Sequence, residues 1–153
     1  GIATRLAPSL PDRRADLDPG LIRIIEESLR WPTTKYVQAW FDRLQFWDQV
    51  RKFFVKYDLL LTPTVACPPF GVGMEGPGTI DGKPVSTYEW IPFTFPFNMT
   101  GQPACTVPCG FTKAGLPIGL QIVGRRFDDA TVLRAAACFE QAHPWAETRP
   151  PVS

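Results

Sequence analysis

Apolar residues return at helical spacing twice in the first third of the chain. Leu21, Ile22, Ile25 and Leu29 predict a helix over 19–30 with one apolar face. Asp18 stands as its N-cap and Pro19 in its first turn, and Trp31-Pro32 ends it. Thr33 or Thr34 then caps a longer helix running to about Val55. Val37, Trp40, Phe41, Leu44, Trp47 and Phe54 fall near one face of it, while Lys35, Asp42, Arg43 and Lys52 face water. Leu59-Leu60-Leu61, stopped by Thr62-Pro63, suits a buried strand. Residues 66–84 are rich in glycine and proline and read as a long loop. Ala104–Val107 and Ile118–Val123 predict an antiparallel hairpin, joined by a 108–117 turn that holds Gly110 and Gly115. Asp128 or Asp129 caps a last helix, 130–142, with Val132, Leu133, Ala136 and Phe139 toward the sheet and His143-Pro144 as its stop. Residues 1–17 read as an irregular lead and 144–153 as a tail.

The fold class is therefore α/β: part of a mixed sheet covered by helices. So few strands leave sheet edges open, which implies membership of a larger sheet. A length of 153 residues fits one domain or a piece of one, and 44% hydrophobic residues suffice for a core. The net charge of +1 excludes an electrostatic case for nucleic acid or an anionic membrane. The longest uncharged stretch, Trp90 to Thr112, contains Pro92, Pro96, Pro103 and Pro108 and does not read as a spanning helix. The chain begins with Gly and shows no secretory pattern, which reads as a start in mid-polypeptide and a cytoplasmic setting. Cys67, Cys105, Cys109 and Cys138 lack paired metal-ligand spacing, and His143 is the sole histidine, so neither a metal nor another cofactor is expected.

Several motifs dissolve in context. Gly71, Gly73 and Gly76 form G-x-G-x-x-G, but prolines flank it where a dinucleotide site needs a strand and a helix. Asn98-Met99-Thr100 fits a glycosylation sequon without a secretory signal. His143 sits at a helix stop, and no second histidine completes a relay. The aromatics between Tyr36 and Tyr57 lack a basic groove and read as core packing. Ser9, Ser28, Ser86 and Ser153 include neither a nucleophile elbow nor a serine pair. Lys35, Lys52, Lys56, Lys83 and Lys113 occupy helix faces or turns. A nucleophile needs a base and oxyanion donors, and no such set is present.

The stretch from Phe93 to Gly110 reads F-T-x-x-x-N-x-T-G-x-P-A-x-x-V-P-x-G, and Gly115-Leu116-Pro117-Ile118-Gly119-Leu120-Gln121-Ile122-Val123-Gly124 follows. With Tyr57-Asp58-Leu59-Leu60-Leu61-Thr62-Pro63-Thr64, these segments resemble the C-terminal core of the amidase signature family, over about Tyr36 to Glu140. The resemblance implies a large mixed sheet between helices and hydrolysis of a carboxylic amide to acid and ammonia or amine. The family's Ser-Ser-Lys triad lies upstream of this region, so it implies no catalytic residue in this chain. The remaining N-terminal part of such an enzyme becomes the expected partner, a small amide the substrate, and a homo-oligomer an open option. Glutamine-using relatives carry an Asp three residues before the motif Thr94, and this chain has Ile91 there. That favours a simple amide hydrolase, since burying an unpaired ammonium against an apolar group is costly. The alternatives are a fragment of a glutamine-dependent amidotransferase subunit, or a non-catalytic module binding a small molecule or partner through Trp90–Phe97. Among the cluster Trp90, Ile91, Phe93, Phe95 and Phe97, two at most are expected to reach substrate. Ile91, Thr94 and Phe95 are the candidate substrate contacts. Asn98, Gly101, Pro103, Gly110, Gly119 and Gln121 are the structural motif, with Asn98 expected to satisfy backbone where strand 104–107 begins.

Overall fold

A computed structural model describes residues 2–86 and 88–148. The chain divides into two compact units between Leu44 and Gln45. The first begins with short helical pieces: α1 (Ile2–Leu6), a 3-10 turn, α2 (Leu10–Arg13) and a second 3-10 turn. An irregular lead was the expectation for this stretch. Pro8 and Pro11 stand in the first turns of their segments, where a missing N–H costs nothing, so they start helices instead of breaking them. Helix α3 (Pro19–Leu29) follows as its spacing predicts. The Asp18 carboxylate accepts from Leu21 N at 3.0 Å, and Ile22 and Ile25 are buried. Arg14 pairs with Glu26 across 2.5 Å on the surface.

Helix α4 (Thr33–Lys56) spans the boundary. In its first half Val37, Trp40, Phe41 and Leu44 are all exposed, although the periodicity assigns them to a core face. Spacing makes a stripe apolar, but only a neighbouring element can bury it. The described residues of the first unit supply none for this stripe.

The second unit is three layers. Strands β1 (Leu59–Pro63), β4 (Ala104–Phe111) and β5 (Pro117–Gly124) form a three-stranded sheet in the order β1-β5-β4, antiparallel throughout. On one face lies α6 (Asp129–Ala142), where Val132 packs with Val107 and Ile122, flanked by Leu59, Cys105, Leu120, Ala136 and Phe139. Leu133, expected on that face, is 64% exposed. It follows Val132 by one residue, and that 100° step turns it away from the sheet. On the other face Phe54 of α4 and Phe97 of α5 (Phe95–Thr100) close over Val123, with Val50, Phe53 and Leu60 beside them. Each such fully buried side chain is worth roughly 1.5–3 kcal/mol.

The hairpin is longer than the apolar runs suggest. A bulge between Pro108 and Gly110 leaves Cys109 out of the ladder, and pairing continues to Phe111 and Pro117. The connection shrinks to Thr112–Leu116, closed by Thr112 N to Leu116 O at 2.8 Å. The 66–84 loop also holds a small ladder, β2 (Thr79–Ile80) with β3 (Lys83–Pro84). Its tip, Asp81-Gly82, has φ of 50° and 71°, the two positive values that a tight hairpin turn requires. No helix begins within 77–86 after Gly71, Gly73 and Gly76, so the phosphate-cradling context is lacking there. Among the described residues no helix is long and apolar enough to cross a membrane.

Candidate functional site

Gln121 organises one end of the sheet. It lies mid-strand in β5 with 4% of its surface exposed, facing the side opposite α6. Its Nε2 donates to Thr62 Oγ1 at 2.9 Å and to the Phe93 carbonyl at 2.8 Å. One amide thus ties β5 to β1 and to the turn that carries the Phe-Thr motif. Two residues earlier on the same face stands Gly119. Thr64 and Thr106, on either side, hydrogen-bond to each other across it at 2.5 Å. A Cβ on Gly119 would come within 2.7 Å of both hydroxyls. Glycine is required there by close approach.

Beside this seam opens a cavity of about 750 Å³. Val65, Phe70, Trp90, Phe93, Pro117 and Ile118 are among its walls, and none of the described residues lining it is charged. Phe70 meets Trp90 edge to face at 5.1 Å, and Ala66 N donates to the Trp90 carbonyl at 2.9 Å. The 66–70 segment and the 90–93 turn are thereby held together as two sides of one opening.

The anticipated contacts fall around this cavity, not in it. Ile91 is half-buried, and its carbonyl accepts from Thr94 N and from Thr94 Oγ1 at 3.2 Å. Thr94 is thus occupied in closing the turn. Phe95 is exposed and stands edge-on to Tyr88 at 6.1 Å. Of the cluster, Trp90 and Phe93 reach the cavity. The signal for them was weak, because nothing in the local pattern distinguishes a wall aromatic from a core aromatic.

The motif residues divide. Asn98 is exposed, and among the described residues no side-chain hydrogen bond joins it to the start of β4. That place is held by main chain: Gly124 N donates to the Pro103 carbonyl at 3.0 Å. Gly101 ends α5 at φ 77°, its N–H bonded to the Phe97 carbonyl at 2.8 Å. Gly110 sits at the bulge.

No nucleophile assembles among the described residues. The Ser9 and Ser28 hydroxyls donate to the Leu6 and Ile25 carbonyls, Ser86 is exposed, and Ser153 lies outside the described residues. Lys35 rests over the Trp31 ring and Lys52 pairs with Asp48. No described serine hydroxyl bonds a lysine. Burial pushes the Cys105 thiol up, away from the reactive thiolate.

Residues 19–133 match the family model described as Amidase. The chain belongs to the amidase signature family. It is 39% identical over 141 residues to an acylamidase of Rhodococcus erythropolis, covering 91% of this chain and 29% of that protein. It is 51% identical over 88 residues to a glutamyl-tRNA(Gln) amidotransferase subunit of Brevibacillus brevis, covering 58% of this chain and 17% of that one. The crystal structure of a bacterial aryl acylamidase of the amidase signature family superposes with a TM-score of 0.83 at 29% identity, covering 97% of this chain and 34% of that chain. The chain thus spans less than a third of the length of the two sequence relatives.

Proposed function

We propose that this amidase-family chain forms the C-terminal part of an amide hydrolase, and that its cavity receives the apolar side of the substrate. The carrying observation is the uncharged opening between Trp90, Phe93 and Ile118. A charged amine placed there would lose its hydration without a counter-ion. An aryl or alkyl group would lose only unfavourable contact with water. The nucleophile and base come from the remaining N-terminal part of such an enzyme, so the chain alone turns over no amide. Ile91, with Thr94 and Phe95 beside it, borders the substrate in that assembly and favours uncharged amides. The setting is cytoplasmic.

The test is titration of the chain with acetanilide and, separately, with glutamine, following the Trp90 indole N–H by NMR. Saturable shifts with acetanilide and none with glutamine are expected. Preference for glutamine would instead favour an amidotransferase fragment, the reading supported by the 51% identity to such a protein. Amide turnover by the purified chain, abolished by Ser86→Ala, would overturn the claim that the chemistry lies elsewhere.

A further inference from the structure

We infer that Gln121 is the positioning residue of the cavity: its side-chain amide fixes Phe93, and Phe93 sets the width of the opening. The inference rests on the reading of that cavity as a substrate site. Phe93 lies in the turn between Trp90 and Phe95, outside any regular ladder. Among the described contacts its carbonyl is held by one donor, Gln121 Nε2, at 2.8 Å. The Phe93 side chain belongs to the cavity wall. The same nitrogen is fixed in turn by Thr62 Oγ1 on β1, and the residue is nearly sealed from water. The amide is anchored to the sheet at one hydrogen and to the irregular turn at the other. A glutamine suits this geometry because both acceptors lie around one nitrogen and an –NH2 carries two protons. Leucine or methionine fills the space but leaves the Phe93 carbonyl without this donor and the turn untied from the sheet. Nothing in a buried mid-strand position requires a polar side chain, so its presence there marks a specific contact rather than packing.

The chemistry makes a reversible test. In Gln121→Glu the ionised carboxylate cannot donate to the Phe93 carbonyl and repels it. The protonated acid can donate, and burial favours that form as the pH falls. In wild type, the Gln121 side-chain N–H protons should resist exchange with solvent. Acetanilide affinity, read from Trp90, should be flat between pH 7.5 and 5. Gln121→Met should lower it by about tenfold at both values, and Gln121→Glu by about tenfold at pH 7.5 with most of the loss recovered at pH 5. A Met variant that binds like wild type, or a Glu variant indifferent to pH, would overturn the role. If both variants lose their far-ultraviolet dichroism, proton exchange in the wild type decides, and unprotected Gln121 protons sink the inference. If wild type binds no acetanilide yet the Gln121 protons are protected and the Phe93 ring resonances move in Gln121→Met, the cavity is not a substrate site but the positioning stands.

Discussion

At the scale of single residues, Gly119 is fixed by close approach from two sides. The Thr64 and Thr106 hydroxyls meet over it, from the chain on either side of β5. Replacing it with alanine forces a methyl group to within 2.7 Å of both oxygens. Two strands must then part or the hydroxyls must separate. Gly119→Ala should destabilise the chain by about 1–3 kcal/mol, as overpacking of a close contact does. Urea unfolding measures this, and an unchanged midpoint would show that the seam yields to a methyl group. The glycine itself was visible in the motif. The reason for it was not, because Thr64 and Thr106 stand 42 residues apart in the chain.

Elements carry their own boundary signals, and these were largely legible. Asp128 caps α6, accepting from Thr131 N at 3.4 Å and from Thr131 Oγ1 at 2.8 Å. Asp128→Ala should cost about 0.5–2 kcal/mol, the usual worth of a lost N-cap, readable as a lowered thermal midpoint. On α4, hydrogen bonds from Lys52 and then Arg51 hold the Asp48 carboxyl below its usual range. A depressed folded pKa means that its contribution is complete above the unfolded carboxylate value and is lost as the pH falls through the lowered folded one. Asp48→Asn should therefore melt below wild type at neutral pH, and the two curves should converge on acidification. A gap that persists at low pH would assign the effect to something other than the carboxylate. The group is open to solvent, so the difference should be small and shrink with added salt. The irregular lead is the opposite case. Pro8 and Pro11 look like breakers until the register of the helical turns places them first in their segments.

For the whole molecule, the telling fact is apolar surface without a cover. Tyr36, Trp40, Phe41 and Leu44 lie along one stretch of α4, and Leu61, Phe111, Ile118 and Leu133 are exposed in the second unit. Contiguous apolar patches beyond a few hundred Å² mark partner sites or aggregation. The purified chain should bind 1-anilinonaphthalene-8-sulfonate and self-associate with rising concentration. A strictly monomeric chain by light scattering, with no dye fluorescence, would contradict this. An amidase N-terminal portion supplied in trans should suppress both signals if the surface is its seat.

The sequence by itself determined what depends on neighbours in the chain. Helix spacing, caps, the Gly-Pro punctuation of the hairpin and the family's Phe-Thr to Val-Pro motif all act within a few residues. They were enough for the α/β class, the order of the long helices and of the three strands of the main sheet, and the family, but not for α5 or the short helices before α3. Tertiary structure alone decided which apolar stripe is buried, because burial needs a second surface. It decided that Trp90 and Phe93, not Ile91, wall the cavity, because the turn is held by bonds from elsewhere in the chain. And it showed why Gln121 is a glutamine: its partners, Thr62 and Phe93, lie 59 and 28 residues away and meet only when the sheet closes.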